Sequence, residues 1–185
     1  MVIIGITGTI GAGKGTIVEY LTSQKNFKHY SVRSFLLREI QQRKLAPNRN
    51  SMVIIANHLR QTHSPSYIVD QLIKEALINN QHSVIESIRT EGEIISLRKH
   101  HCFHLFAVDA QPKLRYERIK LRNSETDHID YQTFIENEQR EFNSTNPYQQ
   151  NLKKCIDLAD FKLLNNGTVE DLYQQLEEIL RQLSL

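Results

Sequence analysis

The sequence is poor in cysteine and has no long apolar run. Its two cysteines, Cys102 and Cys155, lie far apart and outside the spacings of metal or redox sites, so we expect packing residues in a reducing compartment. No apolar run approaches the roughly 20 residues that a membrane-spanning helix needs. An apolar strand begins at Val2, which leaves no room for a signal peptide. We therefore expect a cytoplasmic protein without membrane contact.

The sequence also lacks an excess of charge of either sign. Its 23 Lys and Arg residues nearly balance 21 Asp and Glu residues, which gives a net charge of +2. No overall basic field marks a nucleic-acid-binding protein, so any site for anions has to be local. The 185 residues, 39% of them hydrophobic, suffice for one sizeable core, and we expect a single domain over residues 1–185.

The most informative stretch follows the apolar run at residues 2–6, which predicts a buried strand. The spacing of Gly8, Gly13 and Lys14 is that of a phosphate-binding loop, or P-loop, in which backbone N–H groups and a helix N-terminus surround an anion. Lys14 supplies a positive charge for the terminal phosphates of a nucleotide. The candidate nucleotide-binding residues of this loop are Gly8, Gly11, Ala12, Gly13, Lys14, Gly15 and Thr16.

Gly15 departs from the usual P-loop, which has a Ser or Thr there as a ligand of Mg²⁺, and the next residue, Thr16, restores a hydroxyl. The resulting Gly-Lys-Gly-Thr sequence resembles the loop of adenylate kinases and other nucleoside monophosphate kinases. The resemblance implies that the protein binds ATP and transfers a phosphoryl group.

Strands and helices alternate along the whole sequence. Apolar patterns predict further strands at residues 27–31, 83–86, 103–108 and 161–164, each followed by helical spacing. We therefore predict a P-loop NTPase fold, a three-layer α/β sandwich with a five-stranded parallel sheet. The resemblance to monophosphate kinases adds a helical acceptor-binding insertion at residues 32–82 and a short lid at residues 118–140, with the lid turn at residues 123–130.

Arg33 and Arg38 follow the second strand, at the sheet edge where open α/β sheets bind ligands. The segment resembles the start of the monophosphate-binding region of adenylate kinases, although Ser34 and Phe35 replace the Gly and Asp of their Gly-Asp-x-x-Arg pattern. The resemblance assigns the acceptor phosphate to Arg38, with Arg33 as a second candidate. No carboxylate stands between them to take a proton from a hydroxyl, which favours a phosphate acceptor. Solvated surface charges are the alternative for both.

Glu86 and Arg89 stand at the end of the third strand. They resemble the Asp-Gly-(x)-x-Arg stretch in which monophosphate kinases use the acid near Mg²⁺ and the arginine on the acceptor phosphate, with Ser87 in the place of the Gly. The resemblance implies that Glu86 and Thr16 organise Mg²⁺, partly through water, and that Arg89 binds the acceptor. An ion pair at the strand end is the alternative.

The residues after Arg89 predict a helix start, because Thr90 and Glu93 have the spacing of a capping box. The whole stretch of residues 86–93 also resembles a group of small archaeal P-loop proteins described as adenylate-kinase-like or dephospho-CoA-kinase-like.

Arg118 and Arg122 are four residues apart and share one helix face. The pattern resembles the lid start of monophosphate kinases, where one arginine packs on the nucleobase and the next meets the donor phosphates. The same resemblance places Arg140 on the transferring phosphate, with a surface salt bridge as the alternative. Asn166 and Gly167 resemble the loop beside the adenine, although a helix start explains them equally well.

Several other polar residues are expected to be structural. Arg49 and Arg60 lie in the predicted insertion, where contact with an acceptor is one interpretation and an exposed side chain is the one that we expect for both. Residues 100–104 contain three histidines and Cys102, but no second pair of ligands lies nearby. We expect a polar entrance to a strand there and not a metal site.

Taken together, these patterns predict a kinase that depends on ATP and Mg²⁺ and transfers the γ-phosphoryl group to a nucleoside monophosphate or a similar nucleotide. The residues expected to serve the reaction are Lys14, Arg89, Arg118, Arg122 and Arg140. One alternative is a dephospho-CoA-kinase-like enzyme acting on a hydroxyl, with Asp109 as its candidate base. A P-loop ATPase or nucleotide-dependent switch is the other.

Overall fold

The computed structural model describes residues 1–122 and 129–185. Over these residues the strands are β1 (Ile3–Gly8), β2 (Lys28–Ser31), β3 (Ser83–Glu86), β4 (Phe103–Asp109) and β5 (Phe161–Leu164). The helices are α1 (Lys14–Gln24), α2 (Val32–Gln42), α3 (Arg49–Thr62), α4 (Tyr67–Asn79), α5 (Glu91–Leu97), α6 (Pro112–Arg122), α7 (Tyr131–Phe142), α8 (Leu152–Asp157) and α9 (Val169–Gln182).

The strands form one sheet in the order β2-β3-β1-β4-β5, and every neighbouring pair is parallel. The central strand β1 pairs with β3 and β4, so that Ile4 stands between Val84 and His104. The prediction of a five-stranded parallel sheet is confirmed. Because all strands run the same way, the P-loop and the segments after β2, β3 and β4 meet at one edge of the sheet.

Helices cover both faces of the sheet, as the three-layer prediction requires. The strands place alternate residues on opposite faces, so Ile4 and Ile6 pack in the cluster that contains α1 and α9, while Ile3 packs in the cluster of α2 to α5 and α8. Buried Cys155 belongs to the second cluster, and half-buried Cys102 packs against it, so both thiols are free packing residues.

Side-chain caps fix the starts of two helices that border the ligand edge. The predicted capping box of α5 is present, since Thr90 accepts from the backbone of Glu93 and Glu93 accepts from the backbone of Thr90. Thr168 and Asp171 form a second capping box at the start of α9. Each box satisfies backbone N–H groups that a helix start otherwise leaves unpaired.

Two negative findings concern metals and membranes. In the described part of the chain, no three His, Cys, Asp or Glu side chains are grouped as a metal site would require. Residues 100–104 instead lead into β4, which begins at Phe103. Within residues 1–122 and 129–185, every helix is too short or too polar to span a lipid bilayer.

The apolar stripe of α9 generates a stability prediction. Leu176 is fully buried against the sheet, whereas Gln174 on the same helix is exposed. Leu176→Ala leaves a cavity and is expected to lower the free energy of unfolding by about 2–5 kcal/mol. Gln174→Ala is the matched control and should change it by less than about 0.5 kcal/mol in urea unfolding. Similar losses for the two variants would contradict the packing of α9.

Candidate active site

The P-loop connects β1 to α1 with a tight turn over residues 9–13. Gly11 and Gly13 have φ values of 75° and 107°, in the left-handed region that favours glycine. A Cβ at Gly13 would approach the Asn165 side-chain nitrogen to 2.3 Å, so both conformation and space require glycine there. At Gly15 a Cβ would meet no atom of residues 1–122 or 129–185 within 4 Å. The start of α1 is therefore open toward the space above the sheet.

Lys14 bends back over the P-loop. Its Nζ donates to the carbonyl oxygens of Gly8 and Thr9 at 2.9 and 2.7 Å. Burial lowers the pKa of Lys14 to about 7, and the positive charge of nearby Arg89 acts in the same direction. An anion beside the ammonium group would favour its protonated form and raise this pKa again.

Residues behind the loop hold it in place. Buried Arg115 donates from Nε to the Ala110 carbonyl at 2.7 Å and from Nη1 to the Ile10 carbonyl at 3.3 Å. The Thr9 hydroxyl donates to Asp109 at 2.6 Å, and the Asn165 amide donates to the Ala12 carbonyl at 2.9 Å. Asp109 is thus engaged with the back of the P-loop.

A cavity of about 560 Å³ lies above the carboxyl ends of the strands. One part of its wall is apolar and comes from α2 and α3: Val32, Leu36, Met52, Val53 and Ala56. The charged lining is mostly basic: Lys14, Arg33, Arg49, Arg60, Arg89, Arg118 and Arg122, with Glu86 and Glu141 as the acids. Seven basic groups against two carboxylates make the described lining strongly attractive to anions.

Most of the predicted site residues border this cavity: Gly11, Gly13, Lys14, Gly15, Thr16, Arg33, Glu86, Arg89, Arg118 and Arg122. Ala12 is buried beneath the loop, and Gly8 ends β1 with its carbonyl on Lys14.

Four predicted site residues lie elsewhere. Arg38 is exposed, stacks over the Phe35 ring at 5.8 Å and borders a separate small depression beside β2. Arg140 is exposed and donates to Asn137. Exposed Asn166 and Gly167 lie in the turn before α9, where Asn166 accepts from the Gln111 backbone. Their ligand roles stay predictions. Of the predicted lid turn, residues 123–128 lie outside the described residues.

Glu86 sits at the end of β3 between the P-loop and β2. Its Oε1 accepts from the Ser31 hydroxyl at 3.1 Å and lies 3.5 Å from His29 Nε2. Burial acts to raise the pKa of Glu86, but His29, Ser31 and the charge of Lys14 outweigh it and hold the pKa below its ordinary value. Glu86 is therefore an ionised carboxylate that faces the same cavity as Lys14.

Arg89 is bound by groups that sequence reasoning missed. Its Nη1 donates to Glu141 at 2.8 Å and to Gln150 at 2.7 Å, and Glu141 also pairs with Arg49. Burial acts to raise the pKa of Glu141, but the charges of Arg89 and Arg49 outweigh it and lower the pKa. Glu141 thus holds two arginines on the cavity wall.

The expectation that Arg49 and Arg60 are exposed is wrong. The Arg60 side chain is 1% exposed because it forms a buried ion pair with Glu93 at 2.8 Å, and the Arg49 side chain is only 24% exposed. Both line the cavity. The sequence does contain the signal, since positions 49, 52, 53, 56 and 60 share one helix face and combine two arginines with three apolar residues.

A backbone conformation and a side-chain hydrogen bond also shape the site. Ser87, where the related kinases have a glycine, has a φ of 67° and borders the cavity. Arg118 donates to the Asn165 carbonyl at 2.9 Å, which fixes it beside the P-loop. Asn165 is therefore a residue of this turn that contacts the P-loop.

The lowered pKa of Lys14 generates a pH prediction. The unfolded chain, with an ordinary lysine pKa of about 10.5, binds more protons than the folded chain between about pH 7 and pH 10. Lys14 therefore makes the free energy of unfolding rise with pH in this window. The free energy of unfolding of the parent chain minus that of Lys14→Met should rise by about 2 kcal/mol from pH 7 to pH 9. Both values are measured by urea unfolding without phosphate. A constant difference would contradict the burial of this ammonium group.

Comparisons with known proteins agree with this geometry. A family model described as an AAA domain matches residues 4–143. A UPF0200 protein from Methanococcus vannielii is 31% identical over 186 residues, which cover 99% of this chain and 97% of the relative.

Solved structures show the same fold at low identity. TT1252 from Thermus thermophilus has a TM-score of 0.66 at 20% identity, covering 98% of this chain and 97% of its own. A gluconokinase from Sinorhizobium meliloti 1021 has a TM-score of 0.60 at 10% identity, covering 98% and 93%. The resemblance to small P-loop kinases and to an archaeal group is confirmed: the chain belongs to the AAA-domain family and to the UPF0200 proteins.

Proposed function

We propose that this protein is a kinase that transfers the γ-phosphoryl group of ATP to a nucleoside monophosphate or a similar phosphorylated acceptor. The observation that carries the proposal is that the P-loop and a separate group of arginines border one cavity. Phosphoryl transfer needs its donor and acceptor held in line, with charge neutralised around the transferred group.

The donor end of the cavity is the P-loop. Lys14, released from the carbonyls of Gly8 and Thr9, would meet the terminal phosphates, while the open start of α1 offers backbone N–H groups. Arg118 and Arg122 border the same end and are placed to neutralise charge on the donor.

The acceptor end lies between α2, α3 and the segment after β3, within the proposed acceptor-binding residues 32–82. Arg89 and Arg49 supply planar guanidinium groups that suit a phosphate, and the apolar wall of Leu36, Met52 and Ala56 suits the organic part of the acceptor. Residues 118–140 are the proposed lid side.

The residues present fit Mg²⁺. Glu86 is ionised, both of its contacts use Oε1, and it borders the cavity together with the Thr16 hydroxyl. Mg²⁺ in kinases keeps several waters and takes few protein ligands, so this small donor set suffices. When bound, Mg²⁺ would neutralise the phosphates of the donor; Thr16 would hold it directly, and Glu86 through water.

Transfer to a hydroxyl is the nearest rival, because the similar gluconokinase is by name a sugar-acid kinase. Such an enzyme needs a carboxylate free to take a proton. Glu141 is held by Arg49 and Arg89, and Asp109 accepts the Thr9 hydroxyl behind the P-loop. Glu86, the other acid of the described lining, is assigned above to Mg²⁺, and β2 ends at Ser31 with no acid. These contacts favour an acceptor that is already ionised.

A nucleotide-dependent switch or ATPase is the second rival. It needs the P-loop but no second compartment. The cavity continues from the P-loop to the arginines and the apolar wall on α2 and α3, and lining groups on both sides favour transfer between two substrates.

Arg89→Ala tests the assignment of the acceptor end. Removing a charged hydrogen-bonding group should raise the KM for the acceptor by about 10- to 100-fold, while the KM for ATP changes by less than about threefold. The measurement is a coupled assay of ADP formation over a panel of nucleoside monophosphates. Arg98→Ala, which removes an arginine paired with Asp160 outside the cavity, is the control.

Two results would count against the proposal. ATP consumption that is indifferent to every monophosphate would exclude transfer to these acceptors. Equal rises in the KM for ATP and for the acceptor would remove Arg89 from the acceptor end.

A further inference from the structure

Arg60 has a donor that the described structure leaves unused. Its Nε and Nη2 both donate to Glu93 Oε1, at 3.2 and 2.8 Å, while the buried Nη1 has no hydrogen-bond partner among the described residues. The side chain is 1% exposed and borders the cavity. A buried, charged donor without a partner is costly, which makes Nη1 a candidate donor for a ligand of the cavity that Arg60 borders.

Glu93 is already fully used. Its second oxygen, Oε2, accepts from the backbone nitrogens of Arg89 and Thr90, at 2.7 and 3.1 Å. The same carboxylate therefore fixes the Arg60 guanidinium relative to the backbone of Arg89. Arg60 is thus held by Glu93 through Nε and Nη2, while the NH₂ group of Nη1 has no partner among the described residues.

Three arginines share two carboxylates around Arg89. Glu93 joins Arg60 to the Arg89 backbone, and Glu141 joins Arg49 to the Arg89 side chain. The charges of Arg49 and Arg60 both act on Arg89, which shows that the three groups are close together. Among the described residues, the three arginines thus have one more positive charge than the two carboxylates balance, and guanidinium groups in this arrangement match the oxygens of a phosphate.

We propose that Arg60 is a direct ligand of the acceptor phosphate, with Nη1 as the donor and with Arg49 and Arg89 completing the site. The inference rests on the proposed function. It assigns the acceptor phosphate to two arginines of α3 instead of Arg38 on α2. Glu93 is then a positioning residue, because it orients Arg60 without touching the acceptor.

Arg60→Lys tests this inference, because it keeps the charge and the pairing with Glu93 but removes the planar fork. The KM for the acceptor should rise at least about tenfold, while the KM for ATP changes by less than about twofold. Arg98→Lys, at an arginine that pairs with Asp160 outside the cavity, is the matched control and should leave both unchanged. Arg38→Lys should raise the acceptor KM less than Arg60→Lys does.

Three results would overturn the inference: an unchanged acceptor KM in folded Arg60→Lys, an equal rise in both KM values, or a larger effect of Arg38→Lys. Circular dichroism establishes folding. Should Arg60→Lys not fold, Arg60→Met/Glu93→Gln removes the buried pair without leaving one charge alone, and the same split in KM is expected.

Inorganic phosphate separates this inference from the proposed function. Calorimetry with Lys14→Met, in which the P-loop has lost its lysine, should detect phosphate binding that Arg60→Lys weakens at least about tenfold in the same background. If the parent chain phosphorylates no monophosphate and this loss is still seen, the kinase proposal fails while Arg60 remains an anion ligand. Absent phosphate binding, or binding that ignores Arg60, overturns the role of Arg60.

Discussion

The repulsion among like charges at one edge of the sheet is the constraint on which the rest of the site depends. Parallel strands bring Lys14, Arg89 and the arginines of α3 and α6 to the same cavity, where burial weakens solvation. The pKa of Lys14 falls to about 7 as a consequence. Burial and the neighbouring arginines also lower the pKa of Arg89. Such a cluster persists only because carboxylates are built into it.

Three carboxylates balance part of this positive charge, each beside different basic groups. Glu93 caps α5 and holds Arg60, Glu141 reaches from α7 to Arg49 and Arg89, and Glu86 faces Lys14 from β3. Each is contributed by a different element. The site is therefore assembled only when the helices on one face of the sheet are docked, which ties anion binding to the integrity of the whole fold. A bound phosphate would relieve the same repulsion and would therefore stabilise the folded chain.

Much of this architecture could be predicted from the sequence because it is encoded locally. The P-loop spacing, the strand at residues 83–86 and the capping box of Thr90 are short-range patterns, and all three are present. Partners distant in sequence carried no such signal. Glu141 and Arg89 are separated by 52 residues, and Arg60 and Glu93 by 33, so only the docking of helices reveals the pairs. Arg38 is a different case, since two positions of its motif are replaced, its side chain is exposed, and its ligand role stays a prediction.

The left-handed conformation of Ser87 changes the direction in which the side chains after it point. In a continuing strand, residues an odd number apart point to opposite faces, so Glu86 and Arg89 would face apart. The single residue with a φ of 67° interrupts that alternation, and both charged side chains border the cavity while Ile88 between them is fully buried in the core. The conformation of one residue thus brings an acidic and a basic side chain, three positions apart, to the same cavity. This backbone conformation is strained in a serine, and the strain serves the lining of the cavity and not the pairing of the strands.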